Sequence, residues 1–199
     1  MLAPVGGPGD GNDILAAKGM LRNSLLAARS SLPAAERAAL GAALAARVLA
    51  LPEVGAAAVV AAFVGTGSEP PTLPLLDVLR ERGVVVLLPV LLPGNGLAWG
   101  GYDGSLVEGR RGLLEPPAAG RSLADADVVL VPGVAYDASG GRLGRGGGSY
   151  DRALAAVSAP VVGLGYDGEV VDRVPVEPHD VRVDVVVTPG GVLRVRPGT

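Results

Sequence analysis

Glycine and arginine are concentrated where the chain reads YDASGGRLGRGGGSYDRAL, from Tyr136 to Leu154. Six of the 31 glycines fall within residues 140–148, Arg142 and Arg145 lie among them, and Tyr150 and Asp151 follow directly. Glycine gives up more backbone freedom on folding than any other residue, about 0.5–1 kcal/mol each relative to alanine in regular structure, so a run this dense must be offset by something. The residue types suit a polyphosphate. Amides of a glycine loop leading into a helix converge on an anion, guanidinium groups match phosphate oxygens in pairs, and a carboxylate beside a polyphosphate holds Mg2+. A flexible surface loop is the alternative use of the same composition.

Other constellations fail on physical grounds. VVGLGYDG places Gly163, Gly165 and Gly168 in dinucleotide-fingerprint spacing, with Asp184 further on. That fingerprint needs a helix opening at its third glycine, and EVVDRVPVEPHD, with Pro175 and Pro178, cannot supply one. Lys18 is the only lysine, so no G-x-x-x-x-G-K-[ST] loop exists, and G-x-S-x-G is also absent. The absence of cysteine removes thiolate metal sites and thiol nucleophiles, and His179, the single histidine, cannot build a multi-histidine zinc centre. His179 is expected to be structural.

Composition narrows the partners. A net charge of −3 and 3% aromatic residues disfavour a nucleic-acid surface. No apolar run reaches the ~18–20 residues that span a bilayer, and MLAPVGGPGDGND lacks the basic-then-apolar order of a signal peptide. A cytoplasmic monomer acting on a small molecule, without nucleic-acid or membrane partners, is expected.

The glycine loop needs a scaffold. Residues 1–12, rich in Gly and Pro, read as a mobile tail, with Asp13 as a cap and one domain over 13–199. ILAAKGMLRNSLLAARSSL and PAAERAALGAALAARVLAL carry helical spacing, the second with Pro33 in its first turn, and together predict an N-terminal helical hairpin. Beyond Gly55, short runs apolar on both faces (56–63, 84–91, 97–102, 127–133, 160–166, 184–189) alternate with helical segments at 73–83 and 149–159. This pattern predicts a three-layer α/β/α single domain with a mostly parallel sheet and ligands at the C-terminal ends of its strands.

VPGVAYDASGGRLGRGGGSYDRAL (131–154) resembles the signature of the 5-formyltetrahydrofolate cyclo-ligase, or methenyltetrahydrofolate synthetase, family, in which a PG-h-x-h-D-x-x-G-x-R-L-G-x-G-x-G-Y-Y-D segment binds the phosphates of ATP. KGMLR (18–22) resembles the family's K-x-x-L-R, GSEPPT (67–72) its G-S-E-x-x-T, GLLEPP (112–117) its G-h-x-E-P, and VPVEPHDVRVDVVVTP (174–189) its closing segment. The ordered set spans about residues 13–192.

The resemblance implies ATP- and Mg2+-dependent conversion of 5-formyltetrahydrofolate to 5,10-methenyltetrahydrofolate, with ADP and phosphate released. Phosphorylating the formyl oxygen would turn a poor leaving group into phosphate before N10 closes the ring. By the same resemblance Lys18 and Arg22, one turn apart, are ATP contacts, as are Arg142, Leu143, Gly144, Arg145, Gly146, Gly147, Gly148, Ser149 and Tyr150. Arg145 to Ser149 also lie against the folate with Val64 and Glu69. Arg142 and Arg145 act on the transferring phosphoryl group, and Asp151 and Asp180 hold Mg2+. The family's Tyr-Tyr-Asp is Ser149-Tyr150-Asp151 here. Two rivals use the same features: a folate- or phosphate-binding regulatory module without turnover, and a kinase or ligase of another small molecule.

Overall fold

The computed structural model describes residues 10–195. In chain order the elements are α1 (Asp10–Ser31), α2 (Ala34–Leu49), α3 (Pro52–Gly55), β1 (Val59–Ala61), α4 (Leu73–Glu81), β2 (Val85–Leu91), β3 (Leu97–Gly101), β4 (Val107–Glu108), β5 (Leu114–Glu115), β6 (Val128–Pro132), β7 (Ala135–Tyr136), β8 (Arg142–Leu143), α5 (Ser149–Leu154), β9 (Val161–Leu164), β10 (Val185–Val187) and β11 (Val192–Arg194). Each of the six apolar runs read from sequence contains one strand of the main sheet.

The seven strands lie in the order β11-β10-β9-β6-β1-β2-β3. The five central strands are parallel, with Val60 opposite both Val86 and Val128, and Leu130 opposite Val162. The edge strands β3 and β11 run antiparallel to their neighbours. Valine and leucine on both sides of each strand are buried because both faces are covered. On one face Leu44 and Val48 of α2 and Leu75, Leu76 and Leu79 of α4 pack on Val60, Val86, Leu88 and Leu130. On the other, Tyr136, Leu154, Trp99 and Leu123 cover Ala61, Leu87, Val129 and Val131. Each fully buried leucine or valine contributes roughly 1.5–3 kcal/mol.

Three details differ from expectation. The first helix begins at Asp10, so Asp13 lies a turn inside it rather than capping it, and of the tail proposed for residues 1–12 only 10–12 fall among the described residues, as helix. The first two helices do not pack along each other as a hairpin: α1 docks on β7, whereas α2 packs on α3, α4 and β10. The apolar residues Leu21 and Leu25 of α1 meet Ala135, Leu143 and Val174 instead of α2. Finally, α5 ends at Leu154 instead of running to 159.

Gly163 and Gly165, the fingerprint-like pair, sit on and just after β9, and a short 3-10 turn at Asp167–Glu169 follows in place of a helix. A side chain at Gly163 would overlap the buried ring of Tyr136. That ring's hydroxyl donates to Val131 O and Leu164 O at 3.2 and 3.0 Å. The glycines there make room for a tyrosine.

Candidate active site

Strand order reverses at β1, with β2 on one side and β6 on the other. Connections diverging from such a point leave a crevice beyond the strand ends. Here it encloses about 720 Å3, walled by Phe63 and Val64 beyond β1, Pro89 and Leu91 of β2, and Pro132 and Gly133 at the end of β6. Every site residue read from the sequence lines it: Lys18, Arg22, Val64, Glu69, all of Arg142–Asp151, and Asp180.

The glycine-rich stretch divides in two. Its first half is the turn of the β7–β8 hairpin, organised by buried Asp137. Asp137 Oδ1 accepts from the amides of Ser139 and Gly141 at 2.8 and 2.9 Å, and Oδ2 from the amide of Val174 at 2.7 Å. Burial pushes this carboxyl's pKa up, but the hydrogen bonds from Val174, Ser139 and Gly141 outweigh it and hold the group below its ordinary value. A Cβ on Gly141 would come within 2.6 Å of Asp137 Oδ2.

The second half, Gly144–Gly148, arches over the cleft with Arg145, Gly146 and Gly147 exposed. Gly146 has a φ of +94°, and a Cβ there would meet only the Arg22 guanidinium, at 3.7 Å. The N-cap of α5 is Gly148, but that helix has only six residues. Its dipole is short, so the loop amides and the surrounding cations offer an anion more than the helix does.

Arg142 lies beneath the loop. Its side chain is 2% exposed. Nη2 donates to Asp151 Oδ1 at 2.6 Å and Nη1 to Pro132 O at 3.2 Å, while Cζ sits 5.9 Å from the centre of the Tyr150 ring. Nε is buried with no partner among the described residues. Asp151 Oδ1 also accepts from the amide of Val181 at 3.3 Å, which ties it to the segment carrying Asp180.

From α1, Lys18 Nζ donates to Glu177 Oε2 at 2.7 Å and Asp180 Oδ2 at 2.6 Å, and Arg22 Nε donates to Gly144 O at 2.9 Å. Burial lowers the pKa of Lys18, yet the two carboxylates more than reverse this and raise it. Burial likewise raises that of Asp180, and Lys18 with the Glu177 amide brings it below the ordinary value. Glu69 Oε2 accepts from the amide and hydroxyl of Thr66 at 2.9 and 3.1 Å, and its Oε1 lies 3.1 Å from Arg145 Nε. The prolines after Glu69 are wedged between Gly41 of α2 and Gly65, which fixes this segment against the domain.

Three features stand beyond the site residues read from the sequence. Glu177 lines the cleft as Lys18's second partner, and its place three residues before Asp180, after Pro175, was the available signal. The β4–β5 hairpin brings Arg111–Glu115, which overlap the GLLEPP motif, to the rim, with buried Glu115 accepting from the Leu91 amide at 2.9 Å; strands of two residues leave no periodicity to read. His179, expected to be structural, is 72% exposed, with Nε2 3.9 Å from Glu177 and 3.7 Å from Asp180.

The donor set fits a nucleotide with its cation. Exposed loop amides, a buried unpartnered Nε on Arg142, and Lys18, Arg22 and Arg145 at one rim supply hydrogen-bond donors and positive charge. Ligand atoms of Glu177, His179 and Asp180 lie within 4.8 Å of one another, offering oxygens to a hard cation. Asp151 stands outside that group, turned toward Arg142.

A model of the 5-formyltetrahydrofolate cyclo-ligase family matches residues 14–189. The 5-formyltetrahydrofolate cyclo-ligase of Mycolicibacterium smegmatis is 43% identical over 194 residues, covering 90% of this chain and 97% of its own. That of Escherichia coli is 37% identical, covering 82% and 96%. The solution structure of Aquifex aeolicus 5,10-methenyltetrahydrofolate synthetase superposes with a TM-score of 0.82 at 32% identity, over 92% of this chain and 94% of that one. With the fold, the order of the motifs and the cleft all in agreement, the chain belongs to the 5-formyltetrahydrofolate cyclo-ligase family.

Proposed function

We propose that this protein converts 5-formyltetrahydrofolate to 5,10-methenyltetrahydrofolate with hydrolysis of MgATP to ADP and phosphate. The observation that carries this reading is the convergence of α1 cations, glycine loop, Glu69 and Asp180 on one cleft at the reversal point of the sheet.

When bound, MgATP supplies the phosphoryl group that makes the formyl oxygen a leaving group. The protein's own work is positioning and charge stabilisation. Amides of Gly144–Gly148 take the place of water around the phosphate oxygens, and Arg145 turns from Glu69 toward them. Arg142, held from below by Asp151 and Pro132 O, adds fixed positive charge at the transferring group. Lys18 and Arg22 close the nucleotide side from α1. Asp180 and, on turning from Arg142, Asp151 would be the carboxylates to hold Mg2+, which would neutralise phosphate charge there. Glu69, oriented by Thr66, accepts from N–H groups of the reduced pterin beside Val64 and Phe63. Packing there places N10 against the formyl carbon.

The test is absorbance of methenyltetrahydrofolate formed from 5-formyltetrahydrofolate with and without MgATP. Formation only with MgATP, with stoichiometric phosphate release, is expected. Binding without turnover would instead support the regulatory module, and phosphate release without a methenyl product another acceptor.

A further inference from the structure

Among the described residues of α1 only two are buried, and both are cations: Lys18 and Arg29. The apolar residues on the same face, Leu21 and Leu25, are partly buried against Ala135, Leu143 and Val174. Lys18, Arg22 and Arg29 are spaced by 4 and 7 residues, so they share one stripe of the helix. Lys18 and Arg29 stand about 16 Å apart along the axis. The helix that brings Lys18 and Arg22 to the cleft is thus held at two points by charge.

The two points differ. Lys18 is held by carboxylates of the cleft itself, which an incoming ligand must engage. Arg29 is held behind the cleft wall, and neither it nor Glu169 lines the cleft: Nε donates to Glu169 Oε1 at 2.6 Å, and Nη2 to Gly133 O at 2.7 Å. The Arg29 and Glu169 side chains are 0% and 5% exposed. The second oxygen of Glu169 accepts from the Tyr166 amide at 2.9 Å, and the Tyr166 ring centre lies 5.7 Å from Arg29 Cζ. Gly133 is itself a wall of the cleft. Buried ion pairs add little or no stability over apolar residues of the same volume, and Arg29 Nη1 is buried without a partner among the described residues, a further cost. A guanidinium bonded in two directions fixes both the rotation and the axial position of its helix.

We infer that Arg29 and Glu169 are positioning residues for nucleotide binding: their buried pair sets the register of α1 against Gly133, so that Lys18 and Arg22 meet the phosphates while Lys18 exchanges partners. This rests on the proposed function for the identity of the ligand, but the docking of α1 can be read without turnover.

The test is the double variant Arg29→Met/Glu169→Leu, which removes both charges and leaves no buried ion unpaired. It is expected to keep a cooperative thermal transition, to raise KM for MgATP at least tenfold with KM for 5-formyltetrahydrofolate within about twofold, and to speed amide exchange across residues 18–29 at least tenfold. A folded double variant with wild-type exchange and wild-type KM values, or with both KM values raised equally, overturns the inference. If that variant does not fold, Arg29→Lys decides by the same readouts, because it keeps the charge yet cannot reach Glu169 and Gly133 O together. Should the wild type show no turnover, the proposed function fails; the exchange rates, and calorimetric binding of a non-hydrolysable ATP analogue, still decide the role of the pair.

Discussion

The two halves of the glycine-rich stretch share a composition and have opposite physical roles. In the first, Gly140 and Gly141 let the chain close around Asp137, whose carboxylate takes amides from residues 139, 141 and 174. Its polar groups are satisfied internally, and residues 140–143 are buried. In the second, a Cβ on Gly146 would have the Arg22 guanidinium as its nearest neighbour, and residues 145–147 are exposed. Glycine density alone therefore does not mark a ligand loop. What marks it is a glycine whose missing side chain faces solvent and cations rather than the protein's own backbone and carboxylates.

Substitutions can break or sharpen that division. Arg142 joins the halves, with its backbone in the hairpin and its guanidinium under the loop. Arg142→Met is expected to lower kcat by about 100- to 1000-fold, the usual cost of losing a preorganised charge donor. If steady-state kinetics on the folded fraction match wild type, Arg142 belongs to the hairpin alone. Asp137→Ala leaves several buried amides unpaired and should cost roughly 3 kcal/mol in denaturant unfolding while KM values stay put.

The same carboxylate gives a pH signature. Its pKa is below the ordinary 3.8 in the folded state, so its contribution is complete above that value and is lost as pH falls through the lower folded one. Acid unfolding of Asp137→Asn should lack this component, and an unchanged acid profile would remove Asp137 as the organiser of the turn.

Gly146→Ala tests the other half. A Cβ at positive φ costs about 1–2 kcal/mol, and KM for MgATP is expected to rise about tenfold, whereas Gly141→Ala should act through stability, with nucleotide affinity little changed. Reversal of that pattern in paired melting and binding measurements would invert the assignment. The smallest change is expected in the stability of Arg145→Ala. Arg145 is 51% exposed, and an ion pair of that kind is worth about 0–1 kcal/mol. Its effect should appear in nucleotide affinity, and a melting shift with unaltered affinity would make it a structural residue.

The strands at Val59–Ala61, Val128–Pro132 and Val161–Leu164 were legible because a strand buried on both faces needs an unbroken apolar run, which is local information. The ends of α1 and α5 were less legible. Asp13 looked like a cap and lies inside α1, and the apolar spacing after Leu154 suggested helix beyond the point where α5 stops. The candidate site was legible as a set of motifs, but its internal pairings were not. Lys18 and Asp180 are 162 positions apart, and Arg29 and Glu169 are 140 apart. No periodicity records which carboxylate a buried cation will meet.

By itself the sequence determined the buried parallel sheet, the glycine loop over a strand end, and the identities of the groups available for phosphate and folate, since each depends on residue type and short-range spacing. Only the tertiary structure decided which glycines close a turn and which stay open, that α1 parts from α2 to dock through buried ion pairs beside an apolar contact, and that Asp151 faces Arg142 while Glu177 joins Asp180. Those outcomes are balances between desolvation and pairing among groups far apart in the chain, and they exist only once the strands have brought those groups together.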